Sequence, residues 1–124
     1  MKITEIPFVG HPVTDIPRAR EFYEKVLGLE LTMLHELAPG SGQFWIEYNI
    51  GQSCLGVSNI WPPNDGPGGP TVAMEVDDLD KAILELKDAG FESESGIMQS
   101  PACRFFLFND PDGNPIMLHQ MKAG

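Results

Sequence analysis

The 124-residue sequence predicts an α+β fold, two tandem βαβββ modules forming a curved mixed sheet around a cleft. Three observations carry this expectation. The stretch 12–31, PVTDIPRAREFYEKVLGLEL, has the form of a strand end, a capped helix and a strand start. A fainter copy follows: Val13-Thr14-Asp15-Ile16 matches Val76-Asp77-Asp78-Leu79 at an offset of 63. Gly28 matches Gly90 and Gly51 matches Gly113 at an offset of 62, so helix ends and hairpin turns keep nearly one spacing. A single such module cannot bury both faces of its sheet, so the two are expected to associate side by side.

Taken in order, 3–13 is expected to be a strand. Asp15 then caps a helix, and Pro17 sits in the first turn, where its missing donor costs nothing. Ala19, Phe22, Tyr23, Val26 and Leu27 share an apolar face opposite Arg18, Glu21, Glu24 and Lys25. Gly28 ends the helix with a positive φ. Strands are expected at 30–37, 43–48 and 53–58, separated by the turn Pro39-Gly40-Ser41-Gly42 and the hairpin Asn49-Ile50-Gly51. The run 60–70, IWPPNDGPGGP, holds too many prolines and glycines for either regular structure and reads as a linker. A strand at 71–76 follows, then Asp78 as cap, an amphipathic helix at 79–89 ended by Gly90, and strands at 92–98, 104–109 and 115–120. The whole, 1–124, reads as one domain: module one 1–59, linker 60–70 and module two 71–124.

Eight basic against 18 acidic residues give a formal charge of −10. That balance repels phosphate backbones and anionic lipid, so nucleic acid and membrane are not expected partners, whereas a cationic ligand is tolerated. Cys54 and Cys103 lie in apolar, strand-like runs at no metal or redox spacing, as befits free thiols in a reducing cytoplasm. No signal peptide or membrane-length apolar run is visible.

The residues Val13-x-Asp15, Phe22-Tyr23-x-x-Val26-Leu27-Gly28-Leu29, Val76-Asp77-Asp78-Leu79 and the closing Asp110-Pro111-Asp112-Gly113-Asn114-Pro115-Ile116 resemble the vicinal oxygen chelate superfamily. It takes in glyoxalase I, bleomycin-resistance proteins, fosfomycin-resistance enzymes and extradiol dioxygenases. The resemblance covers essentially the whole chain and implies the glyoxalase/bleomycin resistance-like fold. It says little about activity, because the superfamily spans lyases, isomerases, transferases, dioxygenases and metal-free binding proteins. Metal-dependent members hold a divalent cation through His, Gln or Glu from the first and last strands of each module. Carried over position by position, those places read Phe8, Leu55, Thr71 and Met117. Divalent cations want carboxylate, imidazole or water oxygen, and Thr71 alone is a poor neutral ligand. The resemblance therefore implies a lost metal site and argues against metal-dependent glyoxalase chemistry.

Strand alternation from these positions places Gly10, Ser53, Val57, Ala73, Glu75 and His119 towards the cleft, with Trp45, Glu47, Phe105 and Leu107 from the third strands. His11 falls on the opposite side, as a packed histidine. Candidate ligand-binding residues are thus Phe8, Trp45, Glu47, Leu55, Thr71, Phe105 and Met117. Glu75 and His119 are candidate catalytic groups. Glu47, Glu75 and His119 admit two readings, an acid–base or displaced metal set, or three groups solvated at the mouth. Trp45 and Trp61 admit stacking on a planar or cationic ligand, core packing or, for Trp61, a subunit contact.

Three functions follow. The first is a metal-free protein, without cofactor, that binds a small organic molecule in an apolar, acidic-rimmed cleft. The second is a glyoxalase- or dioxygenase-like enzyme using a displaced divalent metal or acid–base site at Glu47, Glu75 and His119. The third is a structural dimer with a vestigial pocket. Relatives cover their open edges by pairing two chains, so the resemblance also implies a homodimer.

Overall fold

The computed structural model of the chain describes residues 2, 4, 6–63, 71–93 and 95–122. They fall into two compact units, Met1–Asn64 and Asp65–Gly124. The linker expected at 60–70 lies outside the described residues from 64 onwards.

In the first unit β1 (Val9–Pro12), β2 (Leu31–Glu36), β3 (Phe44–Ile50) and β4 (Ser53–Ser58) form one sheet in the order β1-β4-β3-β2. β1 runs parallel to β4, and the other pairs are antiparallel. In the second unit β5 (Val72–Glu75), β6 (Ile97–Gln99), β7 (Cys103–Asn109) and β8 (Pro115–Met121) repeat the arrangement as β5-β8-β7-β6, with β5 parallel to β8. The two βαβββ modules are therefore present.

Each sheet carries its helical segment between its first two strands. α1 (Ile16–Arg20) starts where Asp15 Oδ1 accepts the Arg18 N–H at 3.0 Å. α2 (Leu79–Asp88) starts in the same way, where Asp78 Oδ1 accepts the Lys81 N–H at 3.1 Å. A uniform α-helix up to Gly28 was the expectation, yet Glu21–Val26 is π-helical. Leu27 N–H bonds to the Phe22 carbonyl, five residues back, at 3.0 Å. The widened turn lets two adjacent aromatics, Phe22 and Tyr23, both point inward, each almost fully buried. Their rings meet edge to face with centroids 5.0 Å apart. A periodicity argument built on 3.6 residues per turn cannot foresee this.

Buried side chains line one face of each sheet. In unit one, Tyr23 stacks on Tyr48 at 5.6 Å, and its hydroxyl lies 2.8 Å from Nδ1 of buried His11. Ile46, Leu55 and Val57 complete that layer. In unit two, Leu79 and Leu86 of α2 are buried, as are Phe106, Phe108, Ile116 and Leu118 on the sheet. Arg104 of β7 forks onto both carboxylate oxygens of Asp80 in α2, at 2.9 and 3.2 Å.

Four strands are shorter than expected, β2 by one residue at each end of 30–37. β1 covers four residues rather than 3–13, of which residues 3 and 5 lie outside the description. β5 covers Val72–Glu75, without Thr71 and Val76. β6 covers three residues rather than 92–98, because Ser93 Oγ accepts the Ser95 N–H at 3.3 Å and Gly96 turns the chain at φ 64°. Those side-chain bonds compete with the ladder. No helix among the described residues is long and apolar enough to cross a membrane.

Candidate functional site

The face of the first sheet turned away from Tyr23 is built around three aromatic rings. Phe8, just before β1, meets Trp45 of β3 edge to face at 5.2 Å. Trp61 folds back to meet Trp45 at 5.2 Å, 71° between planes. Glycines make room beneath them. A Cβ at Gly10 would lie 2.6 Å from the Trp61 ring, and one at Gly56 would lie 3.2 Å from Trp45 and 3.4 Å from Phe8. Neither glycine needs a positive φ, so the missing side chain is what matters here. Phe8 remains 40% exposed. Together the rings form an apolar, half-open wall.

Glu47 lies further along β3 on the same face, and its Oε1 accepts from Cys54 Sγ at 3.3 Å. Burial, and then the Glu47 carboxylate, push the thiol up to about 11. Cys54 is accordingly neutral and unreactive near neutral pH.

In the second unit Glu75 and His119 sit opposite one another across the β5–β8 pair, and Phe105 opposite His119 across β7–β8. His119 Nδ1 lies 2.5 Å from Glu75 Oε1, while the Met121 backbone N–H donates to Oε2 at 2.9 Å. The Met121 N–H first, and then His119, hold the Glu75 carboxyl below its ordinary value. Ala73, Met117 and Leu107 are in register with each other on this face. Thr71 is exposed immediately before β5.

One expected site residue is on the wrong side. Leu55 pairs with Tyr48 and Val9, is 2% exposed and belongs to the layer beneath the helix. Ser53 and Val57, expected to share a cleft face with it, share the helix side instead. The cause is loop length. Ile50 pairs with Ser53 across a two-residue turn, whereas Asn109 pairs with Pro115 across the five residues 110–114. Matching Gly51 to Gly113 therefore slips the last strands by one residue, and one residue reverses the face. The sheet register makes Gly56 the counterpart of Met117: Val9 pairs with Leu55 as Val72 pairs with Ile116.

With that register, the places the family resemblance implies for metal ligands fall on Phe8 and Gly56 in the first unit and on Thr71 and Met117 in the second. Neither pair, a phenyl with a hydrogen in the first unit or a neutral hydroxyl with a thioether in the second, suits a hard divalent cation. Among the described residues no group of three or more His, Cys, Asp or Glu is placed to hold a metal ion. Glu75 and His119 do come together; Glu47 instead engages Cys54. Gly10 lies on the side that strand alternation gives it and Trp61 packs against Trp45, whereas Gly56 is the contributor that the sequence reading misses. The hairpin length, legible as Asn-Ile-Gly against Asp-Pro-Asp-Gly-Asn, was the signal for Gly56.

The Asp-Pro-Asp-Gly-Asn motif itself is structural. Asp110 Oδ1 accepts the N–H groups of Asp112 and Asn114 at 2.9 and 2.8 Å, and its Oδ2 accepts from the Asn114 side chain at 2.7 Å. Both residues are buried, so the motif secures the β7–β8 turn rather than presenting chemistry.

Comparison with known proteins agrees with this architecture. Over 127 residues the chain is 28% identical to the uncharacterized protein YaeR of Escherichia coli (strain K12), covering 95% of this chain and 97% of that one. The crystal structure of SMU.1112c superposes with a TM-score of 0.78 at 23% identity, covering 95% and 99% of the two chains. TnmS3, an antibiotic binding protein from Streptomyces sp. CB03234, superposes at 0.75 with 26% identity, covering 98% and 99%. Residues 5–118 match the family model, and the chain belongs to the Glyoxalase/Bleomycin resistance protein/Dioxygenase superfamily.

Proposed function

We propose that the protein binds a small organic molecule without a metal, holding an apolar or planar part of it against the Phe8–Trp45–Trp61 wall. The observation that carries this reading is that wall, three rings set over two glycines on the exposed side of the sheet. Aromatic faces bind flat or cationic groups without a defined hydrogen-bond pattern, and the formal charge of −10 favours a cationic group over an anionic one. The likeness to TnmS3, named as an antibiotic binding protein, supports a binding role.

A thermal-shift screen with planar cationic, neutral and anionic aromatics tests it, because a molecule that binds the native state alone raises Tm by mass action. Planar cations and neutral aromatics are expected to raise Tm in the presence of chelator and to quench tryptophan emission. No shift with any class would overturn the reading.

The Glu75–His119 pair favours a second reading, an enzyme using acid–base chemistry at that pair. Any turnover found must then disappear in His119→Ala with the fold retained. A fully active variant would remove His119 from the reaction.

A further inference from the structure

We propose that Glu75 and His119 form an acceptor site for an acidic hydroxyl, phenolic or enolic, on a ring lying against the open face of the second unit. The inference rests on the small-molecule reading and names the chemistry one part of the ligand must have.

An ionised carboxylate only accepts hydrogen bonds. Glu75 is kept in that form because Met121 N–H and His119 both stabilise its negative charge. The proton in the 2.5 Å contact therefore belongs to His119, and Nδ1–H is the donor. In the neutral ring this leaves the lone pair on Nε2. Nε2 makes no hydrogen bond to any described residue, and the His119 side chain is 28% exposed, so the lone pair is open to a ligand.

The mounting is rigid. Glu75 is fixed by two bonds, one to backbone, and both partners sit on paired strands at the same register level. A carboxylate behind an imidazole also makes the far nitrogen a better acceptor, as second-shell carboxylates do for histidine ligands. The surroundings select the ring. Phe105 flanks His119 across the ladder, and Met117 and Leu107 follow on the same face. Such a surface accepts an apolar ring, while the lone pair demands a hydroxyl at its edge. An alcohol is a weaker donor than a phenol or enol, and a carboxylate would face Glu75.

The test compares 2-naphthol with 2-methoxynaphthalene, which has the same ring and no donor, by titration, alongside the ¹⁵N resonances of His119. At a pH where the ring is neutral, the free protein should show Nδ1 protonated and Nε2 bare. Naphthol should bind roughly fivefold more tightly than its ether, the scale of one net hydrogen bond. In His119→Phe the ratio should fall to about one, and in Glu75→Gln it should fall part of the way; if the phenylalanine variant does not fold, Glu75→Gln carries the comparison. An Nε2-protonated ring, or equal binding of the two probes in the unaltered protein, overturns this proposal alone. An unchanged ratio in both variants does the same. If neither probe binds, the acceptor site falls, while the small-molecule reading is decided separately by the thermal-shift screen.

Discussion

Gly10 is the residue on which the aromatic wall depends most narrowly. The atoms nearest its absent Cβ are the outer carbons of the Trp61 ring, the end of a side chain that can swing away. Gly10→Ala is therefore expected to displace Trp61 at a stability cost of about 1 kcal/mol, the low end of overpacking. The checks are a changed tryptophan emission and weaker binding of planar ligands, with Tm nearly retained. Cys54 offers a second single-residue test. With its thiol pushed up to about 11 by burial and Glu47, alkylation in a Cys103→Ser background should be slow near neutral pH and rise steadily towards pH 11. Glu47→Gln should bring the rate profile down in pH, though not to that of an exposed thiol, since burial is the larger cause. None of these local effects is legible in the sequence. Which atom sits over a glycine is decided by neighbouring strands and by where the chain after β4 returns.

At the scale of elements the sequence was more informative. Asp15 and Asp78 cap their helices, and the runs with strand character became strands with ends shifted by a few residues. Two features escaped. One is the π-helical turn at Glu21–Val26, in which Phe22 and Tyr23 are both buried and which a 3.6-residue periodicity does not foresee. The reversed face of Leu55 arises because two hairpins that share a glycine differ in length. The aromatic pair of that helical segment also makes its own prediction. Tyr23 joins His11 on β1 to Tyr48 on β3, and Tyr48 in turn donates to Glu24 at 3.0 Å. Burial, reinforced by Glu24, pushes the Tyr48 hydroxyl well above its usual value, so it stays protonated and donating. Tyr23→Phe keeps the stacking and removes the bond to buried His11. Denaturant unfolding should show a loss of about 1–3 kcal/mol.

For the molecule as a whole, charge and acid stability are linked. Glu24 is held below the ordinary 4.5 by its bond to Arg20, Glu75 by the Met121 N–H and His119, and Asp80 below 3.8 by Arg104. A carboxyl with a lowered folded value takes up protons more readily when unfolded. Its stabilisation is thus fully present above the ordinary value and is lost as pH falls through the folded one. Tm should owe little change to these groups from pH 7 to about pH 5 and then drop below about pH 4.5; in Glu24→Gln the drop should be shallower.

The fold was readable because caps, glycines and the repeat all point the same way, and the candidate site was readable as far as Phe8, Trp45, Glu75 and His119. The place of Gly56 beneath the rings and the packing of Trp61 over Gly10 were not, since they depend on register and on where the chain returns. The metal-free proposal turns on Phe8, Gly56, Thr71 and Met117, none of which carries a donor suited to a hard divalent cation. Metal content of the purified, dialysed protein addresses that most directly. Divalent metal is expected far below one equivalent per chain, with ligand-induced Tm shifts unchanged by chelator. Stoichiometric nickel, zinc, manganese or iron surviving dialysis would contradict it.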